Sequence, residues 1–402
     1  MQRSAWIVIV AAAFVVAFSL GIRAAFGLFL KPISMELQLG REVFSLALAL
    51  STLLTGVAGP FVGALADRFG AMKVVIGGAT FSAAGLFLAM HAQSGLGLNL
   101  TFGLLLGIGS TAVSMGIAMG AVARAIPQNK RAQAFGIVMS AGSFGQFVMI
   151  PAAQAVLSTW DWRTACGILA LCAAIIIPIA LGLRPPATAT TTPPTGATSL
   201  RKALGEAVGH SGFWLLTTSF FVCGFHVSFV QTHLPAFLSD RGMTPAVAAQ
   251  ALALIGLFNI FGSFAAGWIG TRFRNRYLLA CVYVLRAVIF LPLILMPMTP
   301  TLAIVFSMFM GLLYLSTVVP TTTIVAQIFG PRYFSTLYGI VFGSHQFGGF
   351  IGSWLGGRMF DLTGSYDTMW WISIGLAIAA AGLAAPLKDA PLQRRQPREI
   401  MA

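Results

Sequence analysis

The sequence predicts an all-α membrane protein of twelve transmembrane helices, arranged as two repeats of six. Three observations predict it. Of 402 residues, 57% are hydrophobic and only 8% are charged, with a mean hydropathy of +0.88, which excludes an ordinary soluble globular chain. Apolar runs of about 18 residues or more, the length that spans a bilayer as a helix, recur from end to end. The first and second halves of the chain also match one another at a constant offset.

Taken in order, the candidate spans are 5–30, 43–66, 74–91, 97–123, 132–157, 164–183, 211–238, 244–270, 277–297, 300–328, 334–357 and 367–387. The first follows Arg3 and superficially resembles a secretory signal, but its partner in the second half marks it as a retained helix. After the sixth span, Arg184-Pro-Pro-Ala-Thr-Ala-Thr-Thr-Thr-Pro-Pro cannot build a core and reads as a linker. Behind it, Ser199–His210 carries Arg201, Lys202 and Glu206 and suits a short helix on the membrane surface. The expected division is 1–184, a first six-helix bundle; 185–210, a cytoplasmic linker; and 211–402, a second bundle with a tail.

The repeat is visible residue by residue. Phe135-Gly-Ile-Val with Phe144-Gly-x-Phe147 matches Tyr338-Gly-Ile-Val with Phe347-Gly-x-Phe350, 203 positions on. At the same offset Gly21, Phe26 and Pro32 match Gly224, Phe229 and Pro235. Such repeats place a substrate site near the bilayer midplane between halves. Helices one, four, five, seven, eight, ten and eleven are expected to line it.

With the N-terminus inside, seventeen Lys and Arg residues fall on the inner face, against five outside (Lys31, Arg41, Arg163, Arg241 and Arg358). That bias puts both termini in the cytoplasm, and the net charge of +14 is an orientation signal, not a nucleic-acid footprint. Cys166, Cys172, Cys223 and Cys281 lie in apolar runs without Cys-x-x-Cys spacing, so neither a disulfide framework nor a metal site is expected. No Walker loop, nucleophile triad or cofactor motif occurs, so transport energy would come from a gradient. The expectation is a monomer whose partners are the bilayer and a small solute, in the inner (plasma) membrane of the cell.

All ten acidic residues sit in loops or at helix ends, yet Arg23 lies in the first span and Arg286 in the ninth. A cation at mid-bilayer costs about 2.5–3.5 kcal/mol on insertion scales. The missing counter-charge points to a bound organic anion, with arginine forking onto its carboxylate. Arg23 either faces the cavity or snorkels to the outer surface; Arg286 either binds the anion or holds backbone carbonyls. The repeat sets His226 opposite Arg23, as a proton carrier or a neutral hydrogen-bonding group, and His345 has the same two readings. Gln146 in the fifth span and Tyr314 in the tenth are candidate lining, with Ser140, Ser143, Thr317, Thr321 and Thr322. Phe26 and Phe229 either wall the site or pack the core.

Between the second and third spans lies Gly63-Ala-Leu-Ala-Asp67-Arg68-Phe69-Gly70-Ala-Met-Lys73. Gly63 would let helices approach closely, Gly70 would allow the reversal, and Asp67, Arg68 and Lys73 would pair with neighbouring helix ends and gate the cavity. This loop resembles the signature loop of major facilitator superfamily transporters, and the resemblance implies their fold. Phe26-Gly-Leu-Phe-Leu-Lys31-Pro32, Phe135-Gly-Ile, Ser140-Ala-Gly-Ser143-Phe-Gly-Gln146 and Trp162-Arg163 are similar to bacterial relatives of monocarboxylate transporters and oxalate/formate exchangers. That likeness implies proton-linked or exchange transport of small organic anions. The eighth span departs from the monocarboxylate pattern: Asn259 and Ser263 stand where an Asp and an Arg are usual. The usual first-span lysine would fall at about Ala24, beside Arg23. Two rival readings stay open: an exporter of drug-like amphipathic compounds, although the fifth-span proline-flanked glycine motif of such exporters is absent, and a non-transporting membrane sensor.

Overall fold

The computed structural model describes residues 3–184, 200–330 and 334–390, so most of the expected linker lies outside the described residues. Among the described residues, eleven helices are long and apolar enough to cross a membrane. They are α1 (Ala5–Glu36), α2 (Arg41–Phe69), α3 (Ala71–Ala89), α4 (Gly95–Ala125), α5 (Gln133–Thr159), α6 (Trp162–Leu183), α7 (Ser211–Asp240), α8 (Pro245–Gly270), α9 (Asn275–Leu295), α10 (Pro300–Phe329) and α12 (Asp367–Ala384). Between the last two lies a further helix of 30 residues, α11 (Phe334–Thr363). The short helix Leu200–Val208 precedes α7. The twelve long helices form two six-helix repeats.

The offset seen in the sequence recurs in the packing. In the first repeat α1 and α5 meet backbone to backbone: a Cβ on Gly145 would strike the carbonyl of Ala17, and one on Gly21 would lie 2.7 Å from the carbonyl of Gly145. In the second, Gly224 and Gly348 bring α7 and α11 together, with the carbonyls of His345 and Phe221 in the way of any side chain. Matching glycines thus let matching helices approach closely, as small residues do in membranes.

The first connection of each repeat is also shared. Leu39 N–H bonds the carbonyl of Ser34 at 3.0 Å, and Met243 N–H bonds that of Leu238 at 3.0 Å. Each bond spans five residues and closes its helix as a Schellman cap. The left-handed residue is Gln38 (φ 52°) in one and Gly242 (φ 83°) in the other.

Two helices are interrupted. α4 breaks at Val113–Ser114. α10 breaks between Tyr314 and Val318, just ahead of Pro320, which has no N–H to continue the ladder.

The halves are not separated evenly. Where α2 begins and α7 and α11 end, here the latched face, they are tied by charge. Asp240 forks onto Arg41 (Nη2–Oδ1 2.9 Å) and pairs with Lys31 at 3.1 Å. Asp361 accepts the backbone N–H groups of Arg41 (2.9 Å) and Glu42 (2.8 Å), capping the free N-terminus of α2 from the other half. Glu42 pairs with Arg358 and accepts the Trp354 indole N–H at 2.9 Å. At the opposite, terminal face the halves stand apart.

Candidate functional site

α1 carries Pro32, whose missing N–H frees the Leu28 carbonyl. One turn earlier the helix tightens into 3-10 form over Phe26–Phe29, a common response to such a defect. Gly27 lies in that turn, and a Cβ there would strike the Gln231 carbonyl of α7. α1 and α7 therefore touch across the two halves, and Arg23 stands one turn before the contact.

Arg23 Nη2 donates to Thr52 Oγ1 at 2.8 Å, and Thr52 passes its own proton to the Leu48 carbonyl at 3.0 Å. Arg23 lines a cavity of about 30 Å³ between the halves, with Phe26, Gly27, Leu48, Ser51, Thr52, Ser228, Gln231 and Thr232. Its walls are α1, α2 and α7: of the seven helices expected only α1 and α7 contribute, and α2 was not among them. Every polar group in that lining besides Arg23 is a hydroxyl or an amide. The guanidinium thus meets a neutral hydroxyl and no carboxylate of the lining, and its four remaining N–H donors suit a planar anion.

His226 does not face Arg23. Its ring is fully buried between α7, α9 and α12, with Nε2 2.9 Å from the Ser373 carbonyl and the Phe290 ring edge-on. The offset preserves helix face, as Gly21 and Gly224 show, and that face looks into its own repeat. Arg23 borders Ser82, Ala173 and Ile176 as His226 borders α9 and α12, and only Arg23 also lines the interface cavity. On α7 that cavity is lined instead by Ser228, Gln231 and Thr232, which have i, i+3, i+4 spacing and share one face, and His226 lies roughly 200° from Ser228. That spacing on an apolar helix was the available signal for these three; Leu48, Ser51 and Thr52, on a helix not expected to line the site, were missed as well. Phe229 likewise packs on Trp370, at 4.8 Å between centroids, while Phe26 does wall the cavity.

Arg286 is wholly buried and serves the break in α10. Its Nη2 donates to the carbonyls of Leu313 and Tyr314, each at 2.7 Å, which the interrupted helix leaves without partners; a cation also suits a helix C-terminus. Asn259 works at the same break: its Oδ1 accepts the Leu315 N–H at 3.2 Å, while its Nδ2 donates to Ser143 Oγ at 3.2 Å on α5. Neither lines the cavity.

The remaining candidates form a layer around it. Tyr314 Oη donates to Gln231 Oε1 at 3.1 Å, one step from the cavity. His345 stacks on Phe342 (centroids 5.7 Å) and bonds Gln346 through Nδ1 at 3.0 Å. Gln346 in turn donates to the Thr52 carbonyl at 3.3 Å and lies over Gly56. Gln146 lies over Gly256 in the α5–α8 crossing.

In the loop between α2 and α3, Gly70 has φ 89° and caps α2. Asp67 pairs with Arg124, at the end of α4, at 3.0 Å; Arg68 lies over Phe69, and Lys73 is exposed near the start of α3. Gly63 corrects the expectation of a close approach: no atom lies within 4 Å of a Cβ placed on it, because the halves are apart there.

A family description, Major Facilitator Superfamily, matches residues 9–353. The chain belongs to that superfamily. Among similar superfamily members, the MFS-type transporter YcxA of Bacillus subtilis (strain 168) is 23% identical, over 98% of this chain and 97% of that protein. Monocarboxylate transporter 13 of Rattus norvegicus is 24% identical, over 95% of this chain and 88% of that one. Among solved structures, a bacterial homolog of the human lysosomal transporter Spinster, inward-facing and occupied, superposes with a TM-score of 0.79 at 17% identity, covering 98% of this chain and 100% of that one. A D-xylose–proton symporter superposes with a TM-score of 0.74 at 14% identity, covering 97% and 99%.

Proposed function

We propose that this transporter carries a small carboxylate-bearing organic anion between the halves, with Arg23 as its charge partner. The observation that carries the reading is Arg23 itself. It is a guanidinium near the middle of α1, on a cavity shared by both halves, bonded to a neutral hydroxyl. Burying such a charge is costly unless something pairs it. The monocarboxylate transporters among its relatives favour the same substrate class.

Exchange of one anion for another fits the cavity better than proton symport. Among the described residues, no Asp, Glu or His contributes to its lining, and His226 is turned toward α9 and α12. The excess of Lys and Arg on the terminal face puts both termini in the cytoplasm, as the positive-inside rule requires, of a protein expected to act as a monomer in the inner membrane. In this orientation the observed arrangement is open inward and latched outward.

The test is counterflow in proteoliposomes. Vesicles preloaded with unlabelled pyruvate should accumulate labelled pyruvate, and Arg23→Ala should reduce the rate at least 100-fold. Gln231→Ala should be milder, about tenfold. Undiminished flux in Arg23→Ala would sink the assignment, and flux that requires an imposed pH gradient would replace exchange by symport.

A further inference from the structure

Arg23 faces a second cavity. Inside the first repeat, a space of about 20 Å³ is bounded by Arg23 with Ser19, Ser51, Ser82 and Ser110, and is closed by Ile22, Phe26, Leu106, Val113, Ala173 and Ile176. Its lining comes from α1, α2, α3, α4 and α6 alone, with no described residue of the second repeat. The Ser110 hydroxyl spends its proton on the Leu106 carbonyl at 2.6 Å. The Ser82 hydroxyl does not: it is 5% exposed and has no hydrogen-bond partner among the described residues. A serine hydroxyl carries one proton to donate, and an unsatisfied buried hydroxyl calls for an explanation such as a water or an ion.

We propose that this serine-lined cavity is a site for a monatomic anion of the halide class, held between the Arg23 guanidinium and the Ser82 hydroxyl. Size and charge select the class. The space is on the scale of one or two water molecules, and its lining comes from one repeat alone, so unlike the interface cavity it cannot widen as the halves rock apart; it suits a single large atom. The lining holds a cation, an O–H donor without a partner and no acid, so a cation is excluded and an anion is favoured over water by the guanidinium charge in an apolar shell. Because Arg23 borders both cavities, the halide neutralises it from within the first repeat whenever the interface cavity holds no anion. A carboxylate arriving at the interface then competes for the same guanidinium, and halide should act as its competitor.

This inference rests on the preceding reading only for that competition; halide binding itself is independent of what is transported. Purified protein should be unfolded thermally in sodium bromide, sodium chloride and sodium methanesulfonate, which has no carboxylate, at constant ionic strength. The midpoint should rise by several degrees with bromide or chloride and not with methanesulfonate. Ser82→Ala, which removes the free hydroxyl without adding bulk, should raise the half-saturating halide concentration at least fivefold. Anomalous diffraction from bromide-grown crystals should place one bromide beside Arg23 and Ser82. Equal midpoints in halide and methanesulfonate, an unchanged halide response in Ser82→Ala, or bromide absent from this cavity would each overturn the proposal. Pyruvate counterflow in the same preparation reports separately on the carboxylate site, so either can fail alone.

Discussion

Along α2 and α11 the two faces of the molecule can be compared turn by turn. From the latched end, Gly357 lies against the backbone of Arg41 and Glu42, Ser353 Oγ donates to the Ser45 carbonyl at 3.2 Å, Gly349 meets Thr52, and Gln346 covers Gly56. One turn further the contact stops. A Cβ on Gly59 or Gly63 of α2, or on Gly339 or Gly343 of α11, would have nothing within 4 Å, and Gly136 on α5 and Gly267 on α8 share that freedom. Charge divides the same way. Lys31, Arg41, Arg163, Arg241 and Arg358 are each paired with an acid, whereas the bases of the terminal face greatly outnumber its acids. Latching is thus electrostatic and local, while the open end keeps small residues that would allow the same helices to close.

The largest effect should come from one substitution placed at both ends of α11. Gly357→Leu forces a side chain into the α2 backbone and should cost about 3 kcal/mol or more, as overpacking does. Gly343→Leu meets nothing and should leave the thermal midpoint unchanged while slowing pyruvate counterflow at least tenfold, because closure of the terminal face would be obstructed. If Gly343→Leu transports normally, that face does not close along this seam.

Removing the acid that joins Arg41 and Lys31 should come next. Losing one partner of a buried pair costs about 3–5 kcal/mol, and partial exposure of Asp240 (26%) reduces the expectation to about 2 kcal/mol. Asp240→Ala should then shift the latched population about 30-fold. Spin labels on Gln38 and Ala246 should report a longer distance; an unchanged distribution would assign the latch to apolar contacts instead.

Asp361 offers a finer test of the trans-cap. Capping is worth about 1 kcal/mol, and Asp361 uses both carboxylate oxygens, one for each backbone N–H. Asp361→Ala should therefore loosen the latched face about fivefold by the same labels, and Asp361→Asn, which keeps one acceptor and sets an NH2 against the other N–H, should restore it only in part. Asp361→Asn indistinguishable from the parent would show that one accepted N–H suffices, and Asp361→Ala without effect would remove the cap from the latch.

How much of this was legible beforehand follows from which forces act locally. Span lengths and the 203-residue offset report hydrophobic burial and helix packing, so α1–α12 and the matched glycines Gly21 and Gly224 could be read directly. Arg23 was legible because an unpaired cation in an apolar run is conspicuous whatever its neighbours. His226 was misplaced because the face it shares with Arg23 looks into its own repeat, and only Arg23 also lines the interface cavity. Arg286 was half legible: holding backbone carbonyls was one of its two readings, and it does so at Leu313 and Tyr314, but where those carbonyls lie was hinted at only by Pro320, and the role of Asn259 at the same break had no signal. The Asp361 cap joins residues some 320 positions apart, beyond any local pattern.

The smallest expected effect compares the two Schellman caps and sharpens the contrast at the latched face itself. Gly242 adopts φ 83° freely, whereas Gln38 holds φ 52° with a side chain, a conformation that costs a non-glycine residue roughly 1–2 kcal/mol. Gln38 recovers part of this through its Nε2 bond to the Met35 carbonyl, 2.8 Å and exposed. Glycine also gives the unfolded chain more freedom to lose, about 0.5–1 kcal/mol. The balance favours Gln38→Gly by at most about 1 kcal/mol, a rise of about 1–2 °C in the thermal midpoint for a chain of this size. Gly242→Gln, with no relief available, should lower the midpoint by at least as much. If both substitutions lower it, the Gln38 side chain stabilises its turn by more than its backbone strain costs, and the two caps are equivalent in geometry but not in what holds them.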